Sequence, residues 1–153
     1  VPGCEDARLK STASYIGIRE SRHIKGEYRL TAEDLLSAKV PEDSILIAAN
    51  SVDVHGRLSD NSTEYITVQN GRWYGVPYRT LVPQVVDNLL VAGRALSATS
   101  DAAGAVRVMP PCMAMGQAAG VAAALAVKGG TTPRNIDPLH LRKVLLENGV
   151  FLG

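Results

Sequence analysis

The residues best suited to chemistry are two arginines that flank a stretch of small residues in the second half of the chain. Arg94 follows Gly93 at the end of the apolar run NLLVAG, and Arg107 stands directly before a long apolar helix pattern. A guanidinium presents a fixed fork of charged donors that suits a phosphate. The free backbone N–H groups near Val108 and Met109 would lie at the start of this helix. The N-terminus of a helix stabilises negative charge. A strand that ends in glycine, followed by a helix whose N-terminus points towards that glycine, is a common arrangement in nucleotide-binding folds.

A second group of polar residues lies in the first half of the chain. Asp53 and His55 stand two positions apart, so on a strand they share one face as a candidate acid/base pair. Most such pairs are structural or solvated, and that alternative stays open. Arg19 and Arg22 in YIGIRESRHI are candidates for binding a substrate carboxylate. Their alternative role is a solvated strand face with cross-strand ion pairs.

The elements that must position the two arginines of the second half are a strand and a long helix. The four apolar residues Leu89–Ala92 do not alternate with polar ones, which predicts a strand buried on both faces. A loop of small residues follows. The helix is predicted to begin near Met109–Pro111, because proline is tolerated in a first turn, and to end at Gly129–Gly130. Its small side chains after Gly116 predict close packing rather than a wide pocket.

The first half of the chain reads as strand-rich, and a helix closes the second half. Alternation or apolar runs predict strands at Tyr15–Ile24, Ile45–Ala49 and Tyr65–Val68. Gly26 is expected to turn the chain. Thr31 and Asp34 predict a capping box at the start of a short helix. Asp137 and Pro138 predict the start of a final helix.

Composition bounds the class of protein. A chain of 153 residues is long enough for a domain with a real core. A formal net charge of +1, without a basic stripe, argues against nucleic-acid binding. Cys4 and Cys112 fit no metal spacing, and the expected state is reduced and cytoplasmic. The apolar run Val108–Val127 contains two prolines and a glutamine, so no membrane span is predicted.

Residue by residue, the stretch RALSATSDAAGAVRVMPPCMAMGQAAG resembles a known segment. This is the C-terminal flavin-contacting part of FAD-dependent oxidoreductases with a two-nucleotide-binding fold, among them the bacterial FAD-dependent oxidoreductases. The likeness continues through GIRESRHIKGEYRLTAEDL and YGVPYRTLVPQVVDNLLVAGR. It implies an α/β fold, or α+β for a fragment. Residues 1–75 would end a strand-rich substrate domain, and residues 76–153 would supply the last strand and helices of a Rossmann-like FAD-binding domain.

The resemblance also implies cofactor-binding residues. Gly93 would allow close backbone approach, and Arg94 would contact the ribityl or phosphate region of FAD. The N–H groups of Val108 and Met109 would point at the pyrimidine edge of the isoalloxazine. A reduced flavin gains negative charge at that edge, which a helix N-terminus stabilises.

Arg107 is the candidate catalytic residue. The spacing Gly104-Ala-Val-Arg107 is similar to a Gly-x-x-Arg setting in fumarate reductase and succinate dehydrogenase flavoproteins. We hypothesise that Arg107 binds or protonates the substrate beside the flavin, and the alternative is that it caps a loop or pairs with Asp101. The stretch Ser97–Ala103 contains no histidine, whereas relatives often carry one there, so no catalytic acid is carried over.

One motif of complete FAD enzymes is missing from this sequence. No GxGxxG turn is present to cradle the pyrophosphate. The sequence is therefore interpreted as the C-terminal part of a larger flavoprotein. FAD is expected in the full-length protein, and the 153-residue chain alone is expected neither to hold it tightly nor to be active.

The predicted function is hydride transfer between a small organic substrate and FAD. The expected partners are the substrate, the remainder of the flavoprotein chain and, for an exposed apolar helix, a second copy in a homodimer. One alternative is a non-catalytic remnant or interaction module that binds no flavin. Another is a scaffold that uses Arg94 and Arg107 for a different phosphate ligand.

Overall fold

The computed structural model describes residues 2–55, 63–68 and 71–153, with their side chains except those of 53–55 and 63–66. The helices and strands in these ranges are α1 (Ala32–Leu36), β1 (Ser44–Ala48), β2 (Val52–His55), β3 (Thr63–Ile66), β4 (Tyr74–Pro77), α2 (Ser100–Val106), α3 (Met109–Lys128) and α4 (Pro138–Glu147).

The strands form two separate antiparallel pairs. In the first, β1 pairs with β4 and the register joins Ala48 to Tyr74. In the second, β2 pairs with β3 and the register joins Val52 to Ile66. Helix α2 packs against β2, while α3 and α4 both pack against β1. The mixture of helices with small antiparallel sheets confirms the predicted α+β class.

Several local predictions are confirmed. Helix α1 begins with a full capping box, in which Thr31 and Asp34 each accept from the other's backbone N–H. Helix α4 begins at the predicted position, and the Asp137 carboxylate accepts from the Leu139 N–H at 3.0 Å. Strand β4 spans the predicted domain boundary between Gly75 and Val76. The division into 1–75 and 76–153 stays a prediction.

The predicted buried strand at Leu89–Ala92 is wrong. This segment is not a strand, and Leu89 is 44% exposed. Its Val91 N–H donates to the Leu81 carbonyl at 2.9 Å. An apolar run forms a strand only where a neighbouring strand satisfies its N–H and C=O groups, and the described residues supply none here.

The predicted strand at Tyr15–Ile24 is also wrong. The segment is irregular, and Ile16 is 91% exposed. Its alternating pattern resembles a half-buried strand, but within the described chain no sheet lies beside it to cover the apolar positions. Side-chain pattern alone cannot supply the hydrogen-bond partners of a strand.

The predicted loop between Arg94 and Arg107 contains a helix, α2. The Thr99 hydroxyl caps it by accepting from the Ala102 N–H at 3.4 Å. Residues 102–106 are all buried. Their small side chains allow α2 to pack closely against β2. Because Arg107 is the C-cap of α2, this packing determines the position of its backbone.

Residues 24–30, which we call the threaded segment, run between residues 79–84 and 95–99. Backbone hydrogen bonds of 2.8–3.2 Å join the segment to both neighbours: Ile24 to Ala95, Gln84 to Lys25, Glu27 to Val82, Tyr28 to Arg79, Leu30 to Ser97 and Thr99 to Leu30. The paired groups are thus removed from water without loss of hydrogen bonding. The irregular segment that precedes residue 24 is therefore held beside Arg94.

Gly26 lies at the tightest point of the threaded segment. It forms a bridge with Pro83 rather than the predicted turn. A Cβ at this position would lie 2.6 Å from the Ser97 Cβ and 3.2 Å from the Arg79 carbonyl oxygen. Glycine is therefore required here by the close approach of neighbouring chain.

Helix α3 begins and ends as predicted. Val108 is its N-cap, Pro110 and Pro111 lie in its first turn, and Gly129 is its C-cap. Its buried face consists of Pro111, Met115, Ala118, Ala122 and Ala126. This face packs against β1 and α4, so the predicted close packing of small side chains is confirmed.

The opposite face of α3 is apolar and exposed. We call it the exposed stripe, and it consists of Met109, Met113, Gly116, Gln117, Gly120, Ala123, Ala124 and Val127. Met109 is 79% exposed and Val127 is 81% exposed. A Cβ on Gly116 or Gly120 would meet nothing within 4 Å. These glycines therefore do not serve packing within the described chain.

By length and composition alone, α3 could cross a membrane. The helix is 20 residues long, and Lys128 is its one charged residue. This is weak evidence, because a helix from the core of a soluble protein passes the same test. The expectation of no membrane span stays a prediction.

Replacing Gly26 by alanine should destabilise the fold by about 1–3 kcal/mol, because the new Cβ forces Ser97 or the Arg79 backbone to move. Urea unfolding followed by circular dichroism measures the loss. Gly17→Ala is the matched control, since a Cβ at Gly17 meets nothing within 4 Å. An equal effect of both substitutions would contradict the close-approach explanation.

Candidate functional site

Three arginines converge on one cavity beside the N-terminus of α3. The cavity has a volume of about 290 Å³ and is lined by Arg19, Arg94, Arg107 and Val108. A neighbouring cavity of about 350 Å³ shares Arg19 and Arg94 and adds Arg22 to its walls. The structure therefore brings together arginines that are far apart in the sequence.

Arg94 reaches the cavity from a short 3-10 helix, Gly93–Ala95. Gly93 has a φ of +80°, a conformation that glycine adopts without strain. A Cβ on Gly93 would meet nothing within 4 Å, so the backbone is open to a ligand. The Arg94 Nη1 donates to the Ile18 carbonyl at 2.8 Å, which ties the irregular first segment to the cavity.

Arg107 is held by a network that sequence reasoning missed. Its Nη1 lies 3.8 Å from the Glu20 Oε2, and its side chain is 11% exposed. The other Glu20 oxygen, Oε1, lies 3.0 Å from the His23 Nε2. His23 Nδ1 lies 3.0 Å from the Leu96 carbonyl oxygen. Both nitrogens of the His23 ring therefore lie within hydrogen-bond distance of an oxygen acceptor.

Glu20 lies between His23 and Arg107. Burial raises the pKa of the Glu20 carboxyl, but hydrogen bonds from His23 and Ser100 and the charges of His23 and Arg107 outweigh it. The pKa of Glu20 is therefore below its ordinary value, and the carboxylate stays ionised at neutral pH. An ionised Glu20 can orient the Arg107 guanidinium.

The N-terminus of α3 is open. Val108 makes no side-chain cap, and the prolines at 110 and 111 have no N–H to offer. The N–H groups of Val108 and Met109 have no backbone acceptor among the described residues. These N–H groups can therefore donate to an anionic or polar edge of a ligand.

Cys112 serves the junction of α2 and α3. Its Sγ donates to the Arg107 carbonyl at 3.3 Å. Burial raises the pKa of the thiol, and the charge of Arg94 offsets only part of this effect. A thiol that stays protonated is a poor nucleophile, so its packing role stands and no covalent flavin link is proposed.

The other predicted residues lie apart from this centre. Gly93 and Met109 flank the cavity in the chain without lining it. Asp53 and His55 lie on β2, opposite Tyr65 and Thr63 respectively. Their side chains lie outside what the structure describes, so their candidate acid/base role stays a prediction. Arg107 has Glu20 as an ion-pair partner, and the alternative that it pairs with Asp101 stays open.

Comparison with known protein families matches residues 1–145 to the family described as FAD dependent oxidoreductase. The chain belongs to the FAD dependent oxidoreductase family. Searches of curated proteins and of solved structures found no match. Membership confirms the family to which the sequence resemblance points, whereas a bacterial origin stays a prediction.

Membership also fixes the general chemistry. Full-length members of this family bind FAD and act on small molecules. Residues of this chain suit part of that cofactor. The space beside Gly93 is open, Arg94 is adjacent to it, and the N-terminus of α3 is uncapped. Together these groups suit a polar, partly anionic ligand. The pyrophosphate-cradling GxGxxG turn is not in this sequence.

Glu20→Gln should weaken the dependence of the free energy of unfolding on pH in the acidic range. The pKa of Glu20 in the folded oxidoreductase is below the ordinary value of 4.5, so its carboxylate stabilises the fold above that pH. The contribution is lost as the pH falls through the lower folded value. Urea unfolding between about pH 2.5 and 7 measures the effect, with exposed Glu42→Gln as control. Parallel profiles for wild type and Glu20→Gln would refute the assignment.

Proposed function

We propose that this chain supplies the flavin-facing and substrate-facing surfaces of an FAD-dependent oxidoreductase that transfers hydride to or from a small organic molecule. When bound, FAD supplies the hydride acceptor or donor. The observation that carries the proposal is the convergence of Arg19, Arg94 and Arg107 at the uncapped N-terminus of α3. Family membership supplies the cofactor.

Four residues are proposed to hold the cofactor. Gly93 lets the backbone approach it, because the space where a Cβ would lie is empty. Arg94 offers charged donors for the ribityl or phosphate region. The N–H groups of Val108 and Met109 stabilise negative charge on the pyrimidine edge, because a helix N-terminus carries a partial positive charge.

Arg107 is proposed to act on the substrate. It lies in the same cavity as Arg94, so a substrate bound there would be adjacent to the cofactor. Because Glu20 stabilises the charged guanidinium, Arg107 is better suited to bind and orient the substrate than to give up a proton. Orientation of a substrate beside a cofactor accounts for a large part of many rate enhancements.

The exposed stripe of α3 is proposed to contact the remainder of a longer flavoprotein chain. A continuous apolar face is unfavourable in water, and helices of nucleotide-binding layers cover a sheet. Under the same proposal the protein is cytoplasmic, since Cys4 and Cys112 are both free thiols.

The exposed stripe also favours a second candidate function. An interaction module that has lost flavin binding would use the same apolar face against a partner or a second copy. Such a protein would be colourless and would show no turnover. The two functions therefore differ in an observable that needs no knowledge of the substrate.

The deciding experiment is a visible absorption spectrum of the longest natural product of the gene, beside the 153-residue chain with added FAD. A yellow long product and a colourless short chain support a flavoenzyme whose cofactor needs both parts. A long product that is colourless and takes up no FAD would overturn the flavin proposal and leave the interaction module.

Arg107→Ala in the flavin-containing full-length protein should lower kcat/KM by about 100-fold, because a charged donor at the reacting centre is lost. Arg107→Lys should recover part of the loss. Steady-state kinetics and flavin content are measured together, so that loss of cofactor is separated from loss of substrate contact. Exposed Lys143→Ala is the control. Unchanged turnover and unchanged KM in Arg107→Ala would remove this residue from the mechanism.

A further inference from the structure

We propose that a further cavity, beside the threaded segment, binds the phosphate group of a small organic ligand other than the flavin. This cavity has a volume of about 520 Å³ and lies against residues 23–27 and 97–98. None of the residues that line it lines either of the two arginine cavities. The inference therefore goes beyond the proposed function and does not depend on it.

The hydroxyl of Ser97 is the feature of this cavity that points most directly to a ligand. Ser97 lines the cavity and is 1% exposed, yet its Oγ has no hydrogen-bond partner among the described residues. The other buried polar residues that the structure describes are Ser44 and Thr80, and each donates its hydroxyl to a backbone carbonyl. A buried hydroxyl without a partner is costly. A ligand that hydrogen-bonds to Ser97 would remove that cost.

Gly26 keeps the space beside this hydroxyl free. Gly26 and Ser97 both line the cavity, and a Cβ on Gly26 would lie 3.1 Å from the Ser97 Oγ. Any larger residue at position 26 would therefore occupy space next to the hydroxyl. The glycine thus serves the cavity as well as the close approach of neighbouring chain.

Two cationic side chains, Lys25 and Arg29, line the same cavity. Lys25 has no ion-pair partner in the part of the chain that the structure describes. The Arg29 Nε donates to the Ala98 carbonyl at 3.5 Å, a neutral acceptor that does not cancel its charge. The carboxylate that lines the cavity, that of Glu27, is ion-paired with Arg134. Two cations without an acidic partner are complementary to a negatively charged ligand.

A phosphate ester matches these donors better than a carboxylate does. It presents three strong acceptor oxygens and close to two negative charges at about pH 7, so a hydroxyl, an ammonium and a guanidinium can each donate to a different oxygen. Ile24 and Ala98 supply apolar surface for the organic part of the ligand. A volume of about 520 Å³ lies within the range of small-molecule sites.

The test titrates the full-length protein with ribose 5-phosphate, and with ribose as its neutral counterpart, by calorimetry at constant ionic strength. Ribose 5-phosphate should bind saturably and ribose should not. In Ser97→Ala and in Arg29→Gln the Kd for ribose 5-phosphate should rise at least about tenfold, because a hydrogen bond to a charged group is lost. Arg29→Lys should bind with intermediate affinity. Lys10→Gln is the control, because it removes an exposed cation that does not line the cavity.

The Tm of the ligand-free protein separates a ligand contact from a structural one. Ser97→Ala removes no hydrogen bond within the described chain, so its Tm should equal or exceed that of wild type. Thr80→Val is the matched comparison, because the Thr80 hydroxyl donates to the Pro77 carbonyl at 2.7 Å. Its Tm should fall by about 2–4 °C. An equal fall in Ser97→Ala would show that the Ser97 hydroxyl serves the fold, and would overturn the inference.

The FAD content of each variant identifies the source of the phosphate. Weakened binding of ribose 5-phosphate with unchanged FAD content supports a separate phosphorylated ligand. Loss of FAD in Ser97→Ala and Arg29→Gln would assign the cavity to a phosphate of the flavin and overturn the inference. No binding of ribose 5-phosphate to wild type, or wild-type affinity in both variants, would also overturn it. A protein that lacks flavin and still binds ribose 5-phosphate through these two residues would contradict the proposed function and support the inference.

Discussion

The structure depends on the backbone hydrogen bonds of the threaded segment, residues 24–30. These bonds reach residues 79–84 on one side and 95–99 on the other, so three stretches of chain that are distant in sequence form one layer. Buried N–H and C=O groups that lost these partners would carry a large desolvation cost. The layer leaves no room for a side chain at Gly26. It also brings Arg19 to the region of Arg94 and Arg107.

The site is organised around one carboxylate. Glu20 contacts both His23 and Arg107, so a single carboxylate orients an imidazole ring and a guanidinium. Burial works against its ionisation, but its two partners and a hydrogen bond from Ser100 more than compensate. Arg19 and Arg94 line the cavity beside Arg107, and a guanidinium offers the fixed fork of donors that suits a phosphate.

Helix α3 connects the core to the site. Its buried face of small side chains lets it lie close to β1 and α4, and this packing fixes its direction. Its N-terminus presents free N–H groups beside the arginines, because no side chain of the N-cap residue Val108 accepts from them. Its exposed stripe faces away from the described core. One helix therefore contributes to stability, to the candidate site and to a surface that suits further protein.

The sequence by itself determined the features that depend on a few neighbouring residues. The ends of α3 follow from Pro110 and Gly129, and the capping box of α1 follows from Thr31 and Asp34, because these residues act on backbone groups within one turn. The resemblance that the sequence carried also named the family correctly. Only the tertiary structure decided the rest. The apolar run at 89–92 formed no strand, since a strand needs a partner that side-chain pattern cannot provide.

The same limit applied to the site. The sequence named Arg94 and Arg107 and held Arg19 as an open candidate, but it gave no sign that these three would share a cavity. Nor did it indicate that Glu20 would pair with Arg107, because the alternation of the first segment predicted a strand whose polar face either was solvated or met a substrate. Both results come from hydrogen bonds between segments far apart in the chain. Local patterns cannot encode such contacts, because the partner is selected by the packing of the whole fold.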